Sequence, residues 1–294
     1  MDKKKLITVQ ILNAFAENNS GGNPAGVVLD ADNLSIKDKL KIAKKVGLSE
    51  TAFVSRSQFA DFKLDFFTPT KQIAHCGHAT VATFSYLKQL GRLANEESSK
   101  ETIDGNRRIK LIGELAFMEQ SAPRYLDVEN KEIQILESLG LKKSQLIENA
   151  PMKLVNTGNS FIIIPVKSSK VLASIKPNYE LISEISAEFD LIGYYVFTDE
   201  TESENLDATS RMFGPRYGIL EESGTGMAAG PLACYLFDIF KINKNTFKIQ
   251  QGKYMEKPSN SLIIVDLDIE DNKINSLMAG GKGILKDQKI IEME

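Results

Sequence analysis

Both histidines of this 294-residue chain, His75 and His78, and one of its two cysteines, Cys76, fall within four consecutive positions. Gly77 and then a small, apolar, helix-like run follow them. The spacing predicts a thiol, two imidazoles and a glycine at a helix N-terminus, where free backbone N–H groups can hold an anion. A comparable opening, Ser223-Gly224-Thr225-Gly226, precedes a second apolar helix-like run in the other half of the chain. His78 is a candidate proton-handling or substrate-orienting imidazole, with a polar helix cap as the plainer alternative. Cys76 is a candidate thiol base, because a helix N-terminus activates thiols; a small buried filler is the alternative. His75 is expected to be structural, and Cys234, in the apolar run Leu232-Ala233-Cys234-Tyr235-Leu236, to be packing.

A further acid belongs with these groups. Glu50 stands between a helix stop at Gly47 and the apolar stretch Thr51-Ala52-Phe53. It reads either as a solvated acid at a strand start or as a carboxylate that apolar neighbours desolvate, able to take up and return a proton. Other chemistries fit poorly. Gly224-Thr225-Gly226-Met227-Ala228-Ala229-Gly230 is not a dinucleotide loop, because no buried strand leads into it and no acid follows at the spacing a ribose needs. Asp266, Asp268, Glu270 and Asp271 lack the glycine and terminal glutamate of a calcium loop and read as a solvated hairpin. A zinc site is not expected either, since two histidines at a spacing of three have no acidic third ligand near them in sequence.

The elements that must position these groups alternate between strand and helix. Residues 6–15 read as a strand after a basic start. Ser35 and Asp38 form a capping box for an amphipathic helix carrying Ile36, Leu40, Ala43 and Val46 and stopped by Gly47. Phe62, Leu64 and Phe66 alternate with Lys63 and Asp65, a half-buried strand. Residues 79–90 read as a helix buried on nearly all sides. The polar stretch 94–108 reads as a surface loop with a turn at Asp104-Gly105.

The second half repeats this order. Gly22-Asn23-Pro24-Ala25 and the apolar residues after it match Gly158-Asn159-Ser160-Phe161; Thr51 to Val54 match Tyr195 to Thr198; Phe67-Thr68-Pro69 matches Phe213-Gly214-Pro215; Cys76-Gly77 matches Ser223-Gly224. The shared order argues for duplication. It predicts an α+β chain of two similar domains, 1–120 and 121–279, with 280–294 returning to the first and a linker at Glu119 to Pro123. Two such domains are expected to oppose their helix N-termini across a cleft suited to a small carboxylate.

Composition narrows the partners. Hydrophobic residues make up 42% and charged residues 26%, and the net charge is −3. That is globular, and it gives nucleic acid no electrostatic footprint. No run of 18 apolar residues suggests a membrane span, and two cysteines without a framework suit a reducing cytoplasm.

The motifs Gly22-Asn23-Pro24-Ala25, Leu48-Ser49-Glu50-Thr51, Phe67-Thr68-Pro69, Cys76-Gly77-His78-Ala79-Thr80, Thr225-Gly226 with Ala228-Ala229-Gly230-Pro231, and Gln250-Gln251-Gly252 together resemble the PhzF-like family of phenazine biosynthesis proteins, within the diaminopimelate epimerase-like fold. The resemblance spans nearly the whole chain. It implies two pseudo-symmetric domains, each a strongly curved sheet around a central helix, a homodimer, and no metal or organic cofactor. It carries a proton-transfer role to Glu50, places His78 in the site, and offers Asn23, Gly77, Ser223, Gly224, Thr225 and Gly226 as substrate-binding positions. The family's second motif usually reads Asp-Pro-x-Thr-Gly-Ser. Here Glu222 keeps the acid, one methylene longer, and Met227 replaces the hydroxyl. Related racemases use two cysteines; Cys76 fits the first and Ser223 falls at the second, which disfavours a two-thiol racemase. The expectation is an isomerase that moves a proton on a small carboxylate-bearing metabolite through Glu50, His78 and Glu222. An epimerase or racemase using Cys76, and a metabolite-binding protein without catalysis, are the alternatives.

Overall fold

The computed structural model describes residues 5–293, so the basic start before Lys5 lies outside the described residues. The chain divides into two compact units, Met1–Glu119 with Gly280–Glu294, and Gln120–Ala279. In the first unit the Lys5–Ala14 strand lies antiparallel to both Ile284–Met293 and Asn23–Val28. Asn23–Val28 runs parallel to Thr51–Ser55, which is antiparallel to Phe62–Phe67. That strand pairs antiparallel with the short Gln72–Ile73 strand and parallel with Glu97–Thr102, which turns back into Gly105–Ile112.

The second unit repeats these pairings strand for strand. Ser160–Pro165 is parallel to Gly193–Thr198, which is antiparallel to Ala208–Gly214. Ala208–Gly214 pairs antiparallel with the short Ile219–Glu222 strand and parallel with Thr246–Gln251, which turns back into Ser261–Glu270. A 13-residue helix follows the short strand in each unit, Gly77–Gln89 in one and Gly226–Asp238 in the other. This is a mixed α+β architecture of two like units, each with one helix after its short strand.

The central helices explain their own composition. Residues 77–87 are all buried, so the helix presents small and apolar groups in every direction, and its hydroxyls must find partners inside. Thr80 and Thr83 donate to the carbonyls of Cys76 and Ala79 one turn back, at 2.6 and 2.7 Å. Ser85 accepts from the Gly283 N–H at 2.8 Å. The preceding amphipathic helix, Ile36–Val46, has the Ser35/Asp38 capping box and ends at Gly47 with φ 73°.

Two expectations are corrected. Residues 94–108 are not a loop. They hold one strand, Glu97–Thr102, whose inward positions are the polar residues Ser98, Lys100 and Thr102, and the first half of a second, so no apolar alternation marks them. The linker expected at Glu119 to Pro123 is largely strand, because Leu115–Ser121 continues through it. Among the described residues no helix is long and apolar enough to cross a membrane.

Candidate active site

Glu50 sits between the Gly47 helix stop and the Thr51–Ser55 strand. Its carbonyl accepts the Gly26 N–H at 3.0 Å, which fixes its backbone to the neighbouring strand. A side chain at Gly26 would meet Thr51 Oγ1 at 2.8 Å, so this close approach needs glycine. Cys76 occupies the cap position of the first central helix, and His78 lies in its first turn. The fold brings these three residues together. His78 Nε2 is 3.4 Å from Glu50 Oε2. Cys76 Sγ is 3.6 Å from His78 Nδ1 and 4.0 Å from Nε2. All three side chains are buried, and Glu50 retains 8% of its surface. Glu50 Oε2 is shielded from solvent and makes no hydrogen bond; the His78 contact falls outside hydrogen-bond geometry.

Burial pushes the Cys76 thiol above its ordinary range; His78 opposes that shift and Glu50 adds to it. The sequence argument against a metal rested on a missing acidic neighbour. The structure overturns that premise, since Glu50 comes from 26 positions before Cys76 to lie with it and His78 in a cluster whose ligand atoms are all within 4.8 Å of one another.

Two residues outside the sequence-based site support this helix opening. Lys100 is fully buried and donates to Thr80 Oγ1 at 2.6 Å, and Thr80 in turn donates to the Cys76 carbonyl. Lys100 Nζ also lies 3.2 Å from His75 Nδ1 and 5.0 Å from the centre of the Phe66 ring. Burial lowers Lys100 to about 7, and burial followed by the Lys100 charge lowers His75 to about 3. His75 is therefore held neutral near pH 7.

In the second unit the helix begins at Gly226 with Thr225 at its cap, so Ser223 and Gly224 stand ahead of the helix rather than at its first residues. This loop is held by Gln251. The Gln251 side chain accepts from the Thr225 N–H at 3.0 Å and donates to the Glu222 carbonyl at 2.7 Å. Tyr195 donates to the same Gln251 oxygen at 2.9 Å. Thr225 also donates its hydroxyl to the Glu222 carboxylate. The N–H and hydroxyl of Thr225 are therefore engaged within the loop, which corrects the expectation that its N–H faces an anion. Ser223 is buried, and Met227 Sδ lies 3.3 Å from Asn159 Nδ2. Gln251 was legible only as part of a motif, because nothing in the sequence reveals that one amide holds both ends of a distant loop. Asn23 is buried in its strand.

A family model described as phenazine biosynthesis-like protein, PhzC-PhzF, matches residues 12–287. The chain belongs to the PhzC-PhzF family. An uncharacterized isomerase of Clostridium acetobutylicum is 34% identical over 88% of this chain and 90% of its own length. The trans-2,3-dihydro-3-hydroxyanthranilate isomerase of Pseudomonas chlororaphis is 27% identical over 93% of this chain and 95% of its own. The crystal structure of a Bacillus anthracis phenazine biosynthesis protein of the PhzF family superposes with a TM-score of 0.87 at 30% identity, covering 98% of this chain and all of the other. The fold alone is shared, at a TM-score of 0.59 and 10% identity over 100% of this chain and 94% of the other, with a hydroxyproline epimerase from Agrobacterium vitis.

Proposed function

We propose that this PhzC-PhzF enzyme is an isomerase that moves a proton on a small carboxylate-bearing metabolite, with Glu50 as both acid and base. The observation that carries the reading is the Glu50 carboxylate oxygen, shielded from water, without a hydrogen bond, and 3.4 Å from the His78 imidazole. An oxygen with no partner to surrender can take a proton from one carbon and return it to another at little reorganisation cost. His78 steadies the charge that develops and orients the substrate. The N–H groups at the helix opening around Gly77, where the helix dipole favours negative charge, are assigned to the substrate carboxylate, and Asn23, from the Gly22-Asn23-Pro24-Ala25 motif, is a further candidate. Gly224 and Gly226 are the corresponding candidates on the second opening. Ser223 and Glu222 belong with them, Glu222 as the acid that orders the Thr225 cap.

Cys76 is the weaker base. Burial favours its neutral thiol, so a thiolate mechanism must first meet a desolvation cost. The relatives' names support isomerase chemistry, and a dihydro-hydroxyanthranilate is the first substrate to try. The test is turnover of that compound and of a panel of small amino and hydroxy acids in deuterated water, followed by NMR. Wild type and Cys76→Ser are expected to incorporate deuterium at the receiving carbon, and Glu50→Gln to lose it. Full turnover by Glu50→Gln would overturn the mechanism, and loss confined to Cys76→Ser would favour the thiol epimerase.

A further inference from the structure

We propose that Glu50, Cys76 and His78 form a three-ligand site for one zinc ion, and that zinc occupancy is an inhibited state of the enzyme. The proposal stands on geometry. A tetrahedral zinc ion with bonds of about 2.3 Å to sulfur and about 2.0 to 2.1 Å to nitrogen and oxygen holds N and O about 3.3 to 3.4 Å apart and N and S about 3.5 to 3.6 Å apart. His78 Nε2 is 3.4 Å from Glu50 Oε2 and 4.0 Å from Cys76 Sγ. The first separation already fits; Cys76 Sγ, which lies 3.6 Å from Nδ1, must turn toward Nε2 to join it, and the three ligand atoms all lie within 4.8 Å of one another. Carboxylate, thiolate and imidazole are the donor types zinc takes, and three protein ligands leave the fourth position for water or an anion.

The independent pointer is Glu50 Oε2, an oxygen shielded from solvent on a side chain with 11% of its surface exposed, which makes no hydrogen bond and faces His78. In hydrogen-bond terms that oxygen is an unexplained cost; as a metal ligand it is satisfied. Cys234, the other cysteine, is buried within the Gly226–Asp238 helix of the other unit and takes no part.

Binding exchanges one S–H bond for one S–Zn bond, with the proton released to buffer and no change of oxidation state. The ion then occupies the oxygen and the imidazole that proton transfer needs. The inhibitory half of the proposal rests on the function assigned to Glu50; the site itself does not.

The experiment loads chelator-stripped full-length protein with zinc in competition with a chromophoric chelator, and separately with cobalt(II). Wild type and Cys234→Ser are expected to bind one equivalent of zinc, and Cys76→Ser and Glu50→Gln to bind at least tenfold more weakly. Cobalt-loaded wild type is expected to display a thiolate-to-metal charge-transfer band that Cys76→Ser lacks. A wild type without that band at saturating cobalt, or a Cys76→Ser variant binding zinc as tightly as wild type, overturns the site. The band is read on wild type alone, so the test survives a variant that does not fold. Stoichiometric zinc binding that leaves turnover unchanged refutes the inhibition and the Glu50 mechanism while leaving the site standing.

Discussion

Replacing Lys100 by Met is expected to stabilise the protein at neutral pH and to remove a specific pH dependence. Lys100 is completely buried, with a hydroxyl, a neutral imidazole and an aromatic face around its ammonium group. Among the described residues no carboxylate hydrogen-bonds to it. The charged groups that act on it are Cys76 and Asp104, which favour its charged form, and Arg107, which opposes it; burial outweighs all of them and lowers it from 10.5 to about 7. Between pH 7 and 10.5 the unfolded chain holds a proton that the folded chain has released, so stability rises with pH across that window. At and below pH 7 both states hold the proton and the whole penalty applies. At about 1.4 kcal/mol per pH unit, a span of about 3.5 units corresponds to about 5 kcal/mol. Met fills similar volume without charge but gives up the hydrogen bond to Thr80, about 1 kcal/mol. The variant is expected to be more stable by about 3 to 4 kcal/mol at pH 7 and slightly less stable above pH 10.5. Urea unfolding across pH 6 to 10 measures both curves, and NMR of the two histidines supplies a second readout. The Lys100 charge is the second cause holding His75 down to about 3, so His75 is expected to titrate higher in the variant. Parallel stability curves for the two proteins would refute the reasoning, because they would mean that Lys100 does not lose its proton in this window.

Glu50→Gln is isosteric and is expected to lower turnover on any accepted substrate by about 10² to 10⁴-fold, measured by deuterium incorporation, with unchanged circular dichroism. Gly252→Ala is expected to destabilise by at least about 3 kcal/mol in chemical denaturation, because Gly252 has φ 84° and a Cβ there would stand 2.2 Å from the Ser259 carbonyl and 2.7 Å from that of Ser223. Gln251→Leu leaves the buried Thr225 N–H and the part-buried Glu222 carbonyl without their amide partner; a loss of about 1 to 3 kcal/mol follows, and faster amide exchange at Thr225 localises it. Glu221→Gln weakens a buried two-pronged pair with Arg211, whose bonds are 2.8 and 2.9 Å. It is expected to cost about 3 to 5 kcal/mol, and thermal unfolding with no change in zinc binding checks that the damage is confined to the other unit.

What the sequence made legible follows from which residues obey the usual periods. Ser35, Asp38 and Gly47 announce a helix because capping is local chemistry, and the structure contains that helix with its capping box. The repeated order of motifs was legible because each motif sits at a forced point: the close approach at Gly26, or the opening of a buried helix. The Glu97–Thr102 strand was not legible, and the reason is physical. Period-two alternation is visible when apolar residues face inward, yet here the inward positions carry Ser98, Lys100 and Thr102, which are indistinguishable by type from a solvated loop. The cluster of Glu50 with Cys76 and His78 was legible in its members but not in its geometry. Glu50 is bound to its neighbour strand through the Gly26 N–H, and only the parallel pairing of Asn23–Val28 with Thr51–Ser55 fixes where that acid stands. The same gap limits the argument from metal-ligand spacing. Ligand spacing along a chain tests for ligands built on one element, whereas this cluster joins a strand entry to a helix opening. Lys100 and Glu50 are thus two results of one arrangement: each unit wraps strands around a buried helix, and any polar side chain that faces that helix near its opening is stripped of water whatever its sequence neighbours suggest. In a family whose relatives carry the name isomerase, those stripped groups are where proton chemistry is most readily placed.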